Sequence, residues 1–124
     1  VFDYIREIAK KGESFVIVGR CAESVLRLYP HVLSVFVTGD KKDKLERIKT
    51  IYHLDSMAAQ DRIRRVDSKR KQYHNHYADY KWGDSRGYDL LINSSRLGID
   101  GTAKCLVGYV HAYMEVKGIE NPSR

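Results

Sequence analysis

Cationic side chains recur at helical spacing in the middle of the chain. Arg62, Arg65 and Lys69 stand at positions i, i+3 and i+7, so a helix would place all three on one face. Like charges at this spacing repel one another, and a bound anion would offset the repulsion. Phosphate is a suitable anion, because the arginine guanidinium matches phosphate oxygens in a bidentate way. Nucleic acid would also be suitable, and the pattern does not separate the two.

The segment around these cations contains the whole excess of positive charge. Between Lys41 and Lys71 there are 11 basic and five acidic residues, a balance equal to the net charge of +6 for all 124 residues. Arg70 falls on the apolar stripe of the same helix. A guanidinium on an apolar face needs a partner, because burying an unpaired charge is costly. Asp67, three residues back, is one candidate.

Other chemistry-bearing residues are weaker candidates. His74 and His76 would point to different faces of a helix and make a poor metal pair. Cys21 and Cys105 have neither zinc-ligand spacing nor the pattern of a disulfide framework. We expect Cys21 to be buried as a small helix residue. No metal or cofactor site is evident in this chain alone.

The elements that would position these residues alternate between helix and strand. Helices are predicted over residues 1–11, 22–28, 41–53 and 56–77, and from about Ile99 onward. Buried strands are predicted over residues 15–19, 32–37 and 88–92. Asp40 and Asp55 are expected to cap the third and fourth helices. Runs that are apolar at every position are typical of parallel strands, so the predicted class is α/β with a three-stranded parallel sheet and flanking helices.

The apolar stripes of the two longest predicted helices indicate which residues form the core. In the fourth helix the stripe consists of Ala59, Ile63, Val66, Tyr73 and Tyr77. In the last helix it consists of Ile99, Ala103, Leu106, Val110 and Tyr113.

Length and composition limit the class of protein. A chain of 124 residues with 43% hydrophobic residues forms one compact domain, and it is not disordered throughout. No apolar run approaches the roughly 18 residues of a membrane span, and no signal peptide is evident. We therefore expect no membrane association and a cytoplasmic location. Because the sequence opens with Val1 inside an amphipathic pattern, we expect it to be a piece of a longer protein.

Distinctive residues follow the predicted strands. Ligands of open α/β sheets bind beyond the carboxyl ends of the strands. The first strand is followed by Arg20, and the third by Asn93, Ser94 and Ser95. We expect Arg20 to project into this crevice as part of an anion site. An ordinary turn would also explain these residues.

Taken in order, four strings resemble the cytidylate kinase-like branch of the nucleoside monophosphate kinases. They are VIVGRCAESVL, VLSVFVTGDKKDKLERI, RVDSKRKQYHNHY and KWGDSRGYDLLINSSRLGIDG. The most specific part is Trp82-Gly83-Asp84, followed at fixed spacing by Tyr88-Asp89-Leu90 and residues 93–99. The resemblance implies a P-loop kinase fold, with ATP and Mg²⁺. It also implies transfer of the γ-phosphoryl group to a pyrimidine nucleotide such as CMP or dCMP.

The resemblance also implies roles for individual residues. Arg20 would grip the acceptor phosphate, and Asp67 would orient an arginine or meet the acceptor. Four catalytic arginines would neutralise the transferring phosphoryl group from lid-side positions: Arg47, Arg62, Arg65 and Arg70. A turn near the ATP base would contain Ser94, Ser95, Leu97 and Gly98.

One motif of such kinases does not occur here. None of the nine glycines belongs to a G-x-x-x-x-G-K-[ST] loop, which cradles the phosphates of ATP. We therefore expect residues 1–124 to be one α/β domain, the C-terminal part of a kinase-like domain, with a basic lid-like segment over residues 41–80. Alone, it is expected to be inactive. The alternative is a non-enzymatic basic α/β module that binds nucleic acid or a protein partner through residues 41–71.

Overall fold

The computed structural model describes residues 1–19 and 21–120. Within them, α-helices lie at Phe2–Lys10 (α1), Ala22–Val25 (α2), Lys41–Tyr52 (α3), Ser56–Tyr77 (α4) and Ser94–Lys117 (α5). Two β-strands lie at Val35–Thr38 (β1) and Leu90–Asn93 (β2), and a 3₁₀ turn spans Ser85–Gly87. No helix in these residues is both long and apolar enough to cross a membrane.

The two strands form a parallel pair. Val35 is opposite Leu90 and Thr38 is opposite Asn93, so both carboxyl ends lie side by side. Helices α3 and α4 lie in the connection between the strands and pack against each other. The predicted α/β class with a parallel sheet is therefore confirmed, and β1 and β2 match the second and third predicted strands.

The prediction of a strand over residues 15–19 is wrong. In the structure this segment is not hydrogen-bonded into the sheet, and Val16 and Val18 are 90% and 89% exposed. An apolar run becomes a strand only where a neighbouring backbone satisfies its N–H and C=O groups. No described segment pairs with it, so the sheet in the described residues has two strands rather than three.

The two helix caps differ from each other. Asp55 caps α4 as predicted, because its Oδ1 accepts a hydrogen bond from the Ala58 N–H at 2.8 Å. Asp40 occupies the N-cap position of α3, but its side chain makes no cap bond. Its carboxylate instead accepts a hydrogen bond from Asn93 Nδ2 at 3.0 Å. The side chain of Asp40 therefore ties the two strand ends together.

Helix α5 begins at Ser94, five residues before the predicted start. Gly98 interrupts it with φ 73° and ψ 177°, so the helix has a kink. Ile99 and Val110 of the predicted apolar stripe are exposed, whereas Thr102 is buried. The predicted stripe assumes an unbroken helix. A kink changes which side chains of the following turns face the core.

An aromatic cluster covers one face of β1. The ring centroid of Phe36 lies 5.3 Å from that of Trp82 and 5.0 Å from that of Tyr88. Gly83 approaches this cluster closely, since a Cβ placed on it would lie 3.4 Å from the Phe36 ring. Its φ of 81° also favours glycine. The loop before β2 is thereby fixed against the sheet.

Candidate functional site

The carboxyl ends of β1 and β2 are joined by a polar network. The Asp40 N–H donates to Ser95 Oγ at 2.8 Å, and Ser94 Oγ donates to the Thr38 carbonyl at 2.9 Å. The Ser95 N–H donates to Asn93 Oδ1 at 2.9 Å, which caps α5. The predicted residues Ser94 and Ser95 therefore lie at the strand ends, where open α/β sheets bind ligands.

Lys44 connects this edge with helix α4. A Cβ placed on Gly39 would lie 3.7 Å from Lys44 Cγ and 3.5 Å from Ser94 Oγ, so the lysine stem runs past the strand ends. Lys44 Nζ donates to Asp67 Oδ2 at 2.6 Å. Sequence reasoning missed Lys44, because only the packing of α3 against α4 brings it to Asp67. From the sequence Asp67 is one candidate partner for Arg70, but in the structure its carboxylate pairs with Lys44.

The four arginines of the predicted lid lie on α3 and α4. The guanidinium of Arg62 stacks over the Tyr52 ring at 3.8 Å, so it joins the two helices by a cation–π contact. Arg47, Arg65 and Arg70 are exposed. Arg70 falls on the predicted apolar stripe, but the structure leaves it exposed, so its charge needs no buried partner. Their predicted roles in phosphoryl transfer stay predictions.

The turn predicted to lie near the ATP base contains the kink of α5. The Gly98 backbone conformation belongs to a region that is essentially restricted to glycine. Leu97 is 58% exposed just before the kink. The kink thus leaves an apolar side chain at the surface, a few residues beyond the carboxyl edge. Arg20, the predicted acceptor-phosphate ligand, lies outside the described residues.

A buried polar cluster joins α2, α4 and the loop after α4. His74 is 7% exposed; its Nδ1 lies 3.2 Å from Glu23 Oε1, and its Nε2 lies 3.0 Å from the Tyr80 carbonyl oxygen. Both ring nitrogens therefore face an oxygen that can accept a hydrogen bond. Sequence reasoning treated His74 only as half of a poor metal pair. The apolar periodicity of the helix did not indicate that His74 is buried, because a polar residue does not contribute to an apolar stripe.

Cys21 adjoins this cluster. Its Sγ lies 3.7 Å from His74 Nδ1, and the residue is 3% exposed, as expected from the sequence. It precedes α2 at the N-cap position and does not lie inside a helix. Burial raises the pKa of the Cys21 thiol, and the Glu23 carboxylate raises it further. A neutral buried thiol is a packing residue rather than a nucleophile.

Asp84 controls the turn that precedes β2. Its Oδ1 accepts a hydrogen bond from the Arg86 N–H at 3.0 Å, and its Oδ2 pairs with the Arg86 guanidinium at 2.7 Å. Hydrogen bonds from the Arg86 side chain and then from its backbone lower the pKa of Asp84 from 3.8 to about 2. The charged carboxylate is therefore favoured in the folded state.

We expect the contribution of Asp84 to the stability of the protein to change with pH in the acid range. For a carboxyl group with a lowered pKa, it is present above the ordinary pKa and is lost as pH falls toward about 2. Asp84→Asn should thus lower the urea midpoint at pH 6, and this difference from wild type should shrink between pH 4 and pH 2. Asp79→Asn, which removes an exposed carboxylate paired with Arg27, serves as a comparison. A difference that is independent of pH would contradict the prediction.

The fold and the site together define a class. The chain is an α/β protein with a parallel strand pair, a hydrogen-bonded polar network at the carboxyl ends, and a cationic helix pair beside them. A family model described as the cytidylate kinase-like family matches residues 1–96. The chain therefore belongs to the cytidylate kinase-like family, as the sequence predicted.

A solved structure supports the same fold. The crystal structure of an uncharacterized protein from Eubacterium ventriosum matches with a TM-score of 0.86 and 39% identity. The match covers 90% of this chain and 63% of that one, so the present chain spans less than two thirds of its length. No curated protein matches this chain.

Proposed function

We propose that this chain supplies the lid and part of the acceptor site of an ATP-dependent nucleoside monophosphate kinase. CMP or dCMP is the proposed acceptor. The observation that carries the proposal is the position of Lys44, which joins the polar strand ends to the cationic helix α4. Membership of the cytidylate kinase-like family supports it independently.

The chemistry of phosphoryl transfer fits these residues. The bond between the β,γ-bridging oxygen and the γ-phosphorus of ATP breaks, and a phosphate oxygen of the acceptor bonds to that phosphorus. Such a transfer needs positioning and charge neutralisation more than covalent chemistry by the protein. We assign neutralisation to Arg47, Arg62, Arg65 and Arg70, and acceptor binding to Arg20 and Asp67. The exposed members of this set, Arg47, Arg65 and Arg70, are suited to this role, because their effect grows when a lid closes and water leaves.

The described residues contain no group of three or more His, Cys, Asp or Glu side chains that could hold a metal ion. Mg²⁺ is often bound by one or two carboxylates together with substrate phosphates, so in the proposed reaction it would bind together with ATP. Ser94, Ser95, Leu97 and Gly98 are the proposed contacts to the base of ATP. Because the sequence has no P-loop motif, we propose that the chain alone does not turn over ATP.

Binding of CMP to the chain tests the proposal. In an NMR titration, CMP should shift the backbone amides of α4 and of the carboxyl edge, and it should do so more strongly than AMP. Arg20→Ala, which removes the proposed ligand of the acceptor phosphate, should weaken the affinity at least about tenfold, because a charge-assisted hydrogen bond contributes roughly 1.5–3 kcal/mol. Arg6→Ala on α1 is the matched control and should leave the affinity unchanged.

The same titration separates the proposed function from nucleic-acid binding. A mononucleotide neutralises few cations, so its affinity should depend weakly on salt. An oligonucleotide that contacts many phosphates loses affinity steeply as salt increases. If CMP caused no shifts while a single-stranded oligonucleotide bound with a steep salt dependence, the binding-module alternative would replace the kinase proposal.

A further inference from the structure

A cationic groove lies between α3 and α4. It encloses about 460 Å³, and its walls contain four cationic side chains and one carboxylate: Lys41, Lys42, Lys44, Arg64 and Asp67. None of the four arginines assigned to neutralisation lines it. The groove is therefore a feature that the sequence analysis did not identify.

The cations of this groove are unequally compensated. Lys44 pairs with Asp67, and Arg64 Nη1 lies 3.3 Å from Oδ1 of Asp61, three residues earlier on α4. Within the described part of the chain, Lys41 and Lys42 have no carboxylate within 4.0 Å. The groove thus keeps a net positive charge that an anion would neutralise.

The ammonium group of Lys44 can exchange Asp67 for another anionic partner. Its ammonium group carries three donors on a flexible stem, and one of them is used by Asp67. The side chain is 37% exposed and that of Asp67 is 31% exposed, so a ligand in the groove can reach both. An anion there is attracted by Lys44 and repelled by Asp67. Although the ammonium group has donors to spare, the carboxylate and the anion repel each other, so they compete for the place beside it.

We propose that the groove between α3 and α4 binds the oligophosphate chain of a small ligand, and that Lys44 exchanges Asp67 for phosphate when the ligand binds. The inference rests on the proposed function in one respect, because it takes phosphate to be the anion of this region. It adds a phosphate subsite, and it assigns Asp67 a second role as the competitor that holds Lys44 in the free protein.

Two single variants should act in opposite directions. Inorganic tripolyphosphate is the probe, and calorimetry at fixed low salt gives its affinity for the chain. Lys44→Met should weaken binding about tenfold, because a charge-assisted contact is lost. Asp67→Asn should strengthen binding several-fold, because the competitor for Lys44 is removed. Lys104→Met, the same change on exposed α5, should have no effect.

A double-mutant cycle tests the exchange itself. Removing any negative charge from the groove favours an anion, so the strengthening by Asp67→Asn must be compared in two backgrounds. When Lys44 is present, the factor by which Asp67→Asn strengthens binding should be large. In the Lys44→Met background, the same factor should be less than half as large. Lys44→Arg keeps the charge and should retain most of the affinity. Far-UV circular dichroism establishes that each variant is folded.

Several results would overturn this inference. One is that tripolyphosphate does not bind to the wild-type chain, and another is that Asp67→Asn weakens its binding. A third is that Asp67→Asn strengthens binding equally with Lys44 and with Lys44→Met. Competition identifies the source of the phosphate: ATP should displace the probe, and displacement only by a single-stranded oligonucleotide would count against the inference. Because CMP binding is measured separately, a failure of the proposed function leaves these affinities interpretable, and the reverse also holds.

Discussion

Replacing His74 with alanine is expected to lower the free energy of unfolding by about 3 kcal/mol. The change leaves the Glu23 carboxylate, whose side chain is 19% exposed, without its partner, and it leaves the Tyr80 carbonyl without a donor. It also opens a cavity between α2 and α4. Urea unfolding followed by circular dichroism at pH 6 measures the effect. A melting temperature lowered by roughly 10 °C should accompany it.

His76 provides the matched control for this prediction. It lies two residues further along the same helix and is exposed, and its ring makes an edge contact with the Tyr77 ring at a centroid distance of 4.6 Å. His76→Ala should change the stability by less than about 0.5 kcal/mol, as is usual for surface substitutions. Equal losses for both variants would mean that the helix itself, rather than the contacts of His74, determines the effect.

Replacing Gly98 with alanine is expected to destabilise the protein by about 1–3 kcal/mol. The backbone at Gly98, with φ 73° and ψ 177°, lies where a side chain is strained whatever space surrounds it. No atom lies within 4 Å of a Cβ placed there, so the expected loss comes from backbone strain and not from a clash. Denaturant unfolding would measure it. The alternative response, straightening of α5, would appear as shifted NMR signals of residues 94–97.

Gly108 on the same helix serves as the control of opposite sign. A Cβ placed on Gly108 also meets no atom within 4 Å, and its φ is not positive. Because alanine favours a helix interior over glycine by about 1 kcal/mol, Gly108→Ala should stabilise the protein by a similar amount. If Gly108→Ala destabilised the protein instead, α5 would be intolerant of alanine in general, and the loss at Gly98 could not be assigned to backbone strain.

Local sequence determined the helices of this protein well. Asp55 at the cap position and the residues after it gave the bounds of α4, because capping and helical periodicity act within a few residues. The same holds for α1, where Gly12 follows the helix with a positive φ. The family was also recognisable from the sequence, because the string around Trp82 and Tyr88 keeps its spacing.

Tertiary structure alone decided the contacts between elements that are distant in the sequence. Lys44 meets Asp67 across 23 residues, and His74 meets Glu23 across 51, and no local pattern encodes either pair. Likewise, Val16 and Val18 have the apolar character of a strand, but a strand also needs a neighbouring backbone to accept and donate its hydrogen bonds. Strand propensity depends on the residues of one segment, whereas strand pairing depends on two segments that meet only in the folded protein. The sequence by itself therefore determined which helices form and which family the chain belongs to, and the packing of α3 on α4 determined which charges meet at the site.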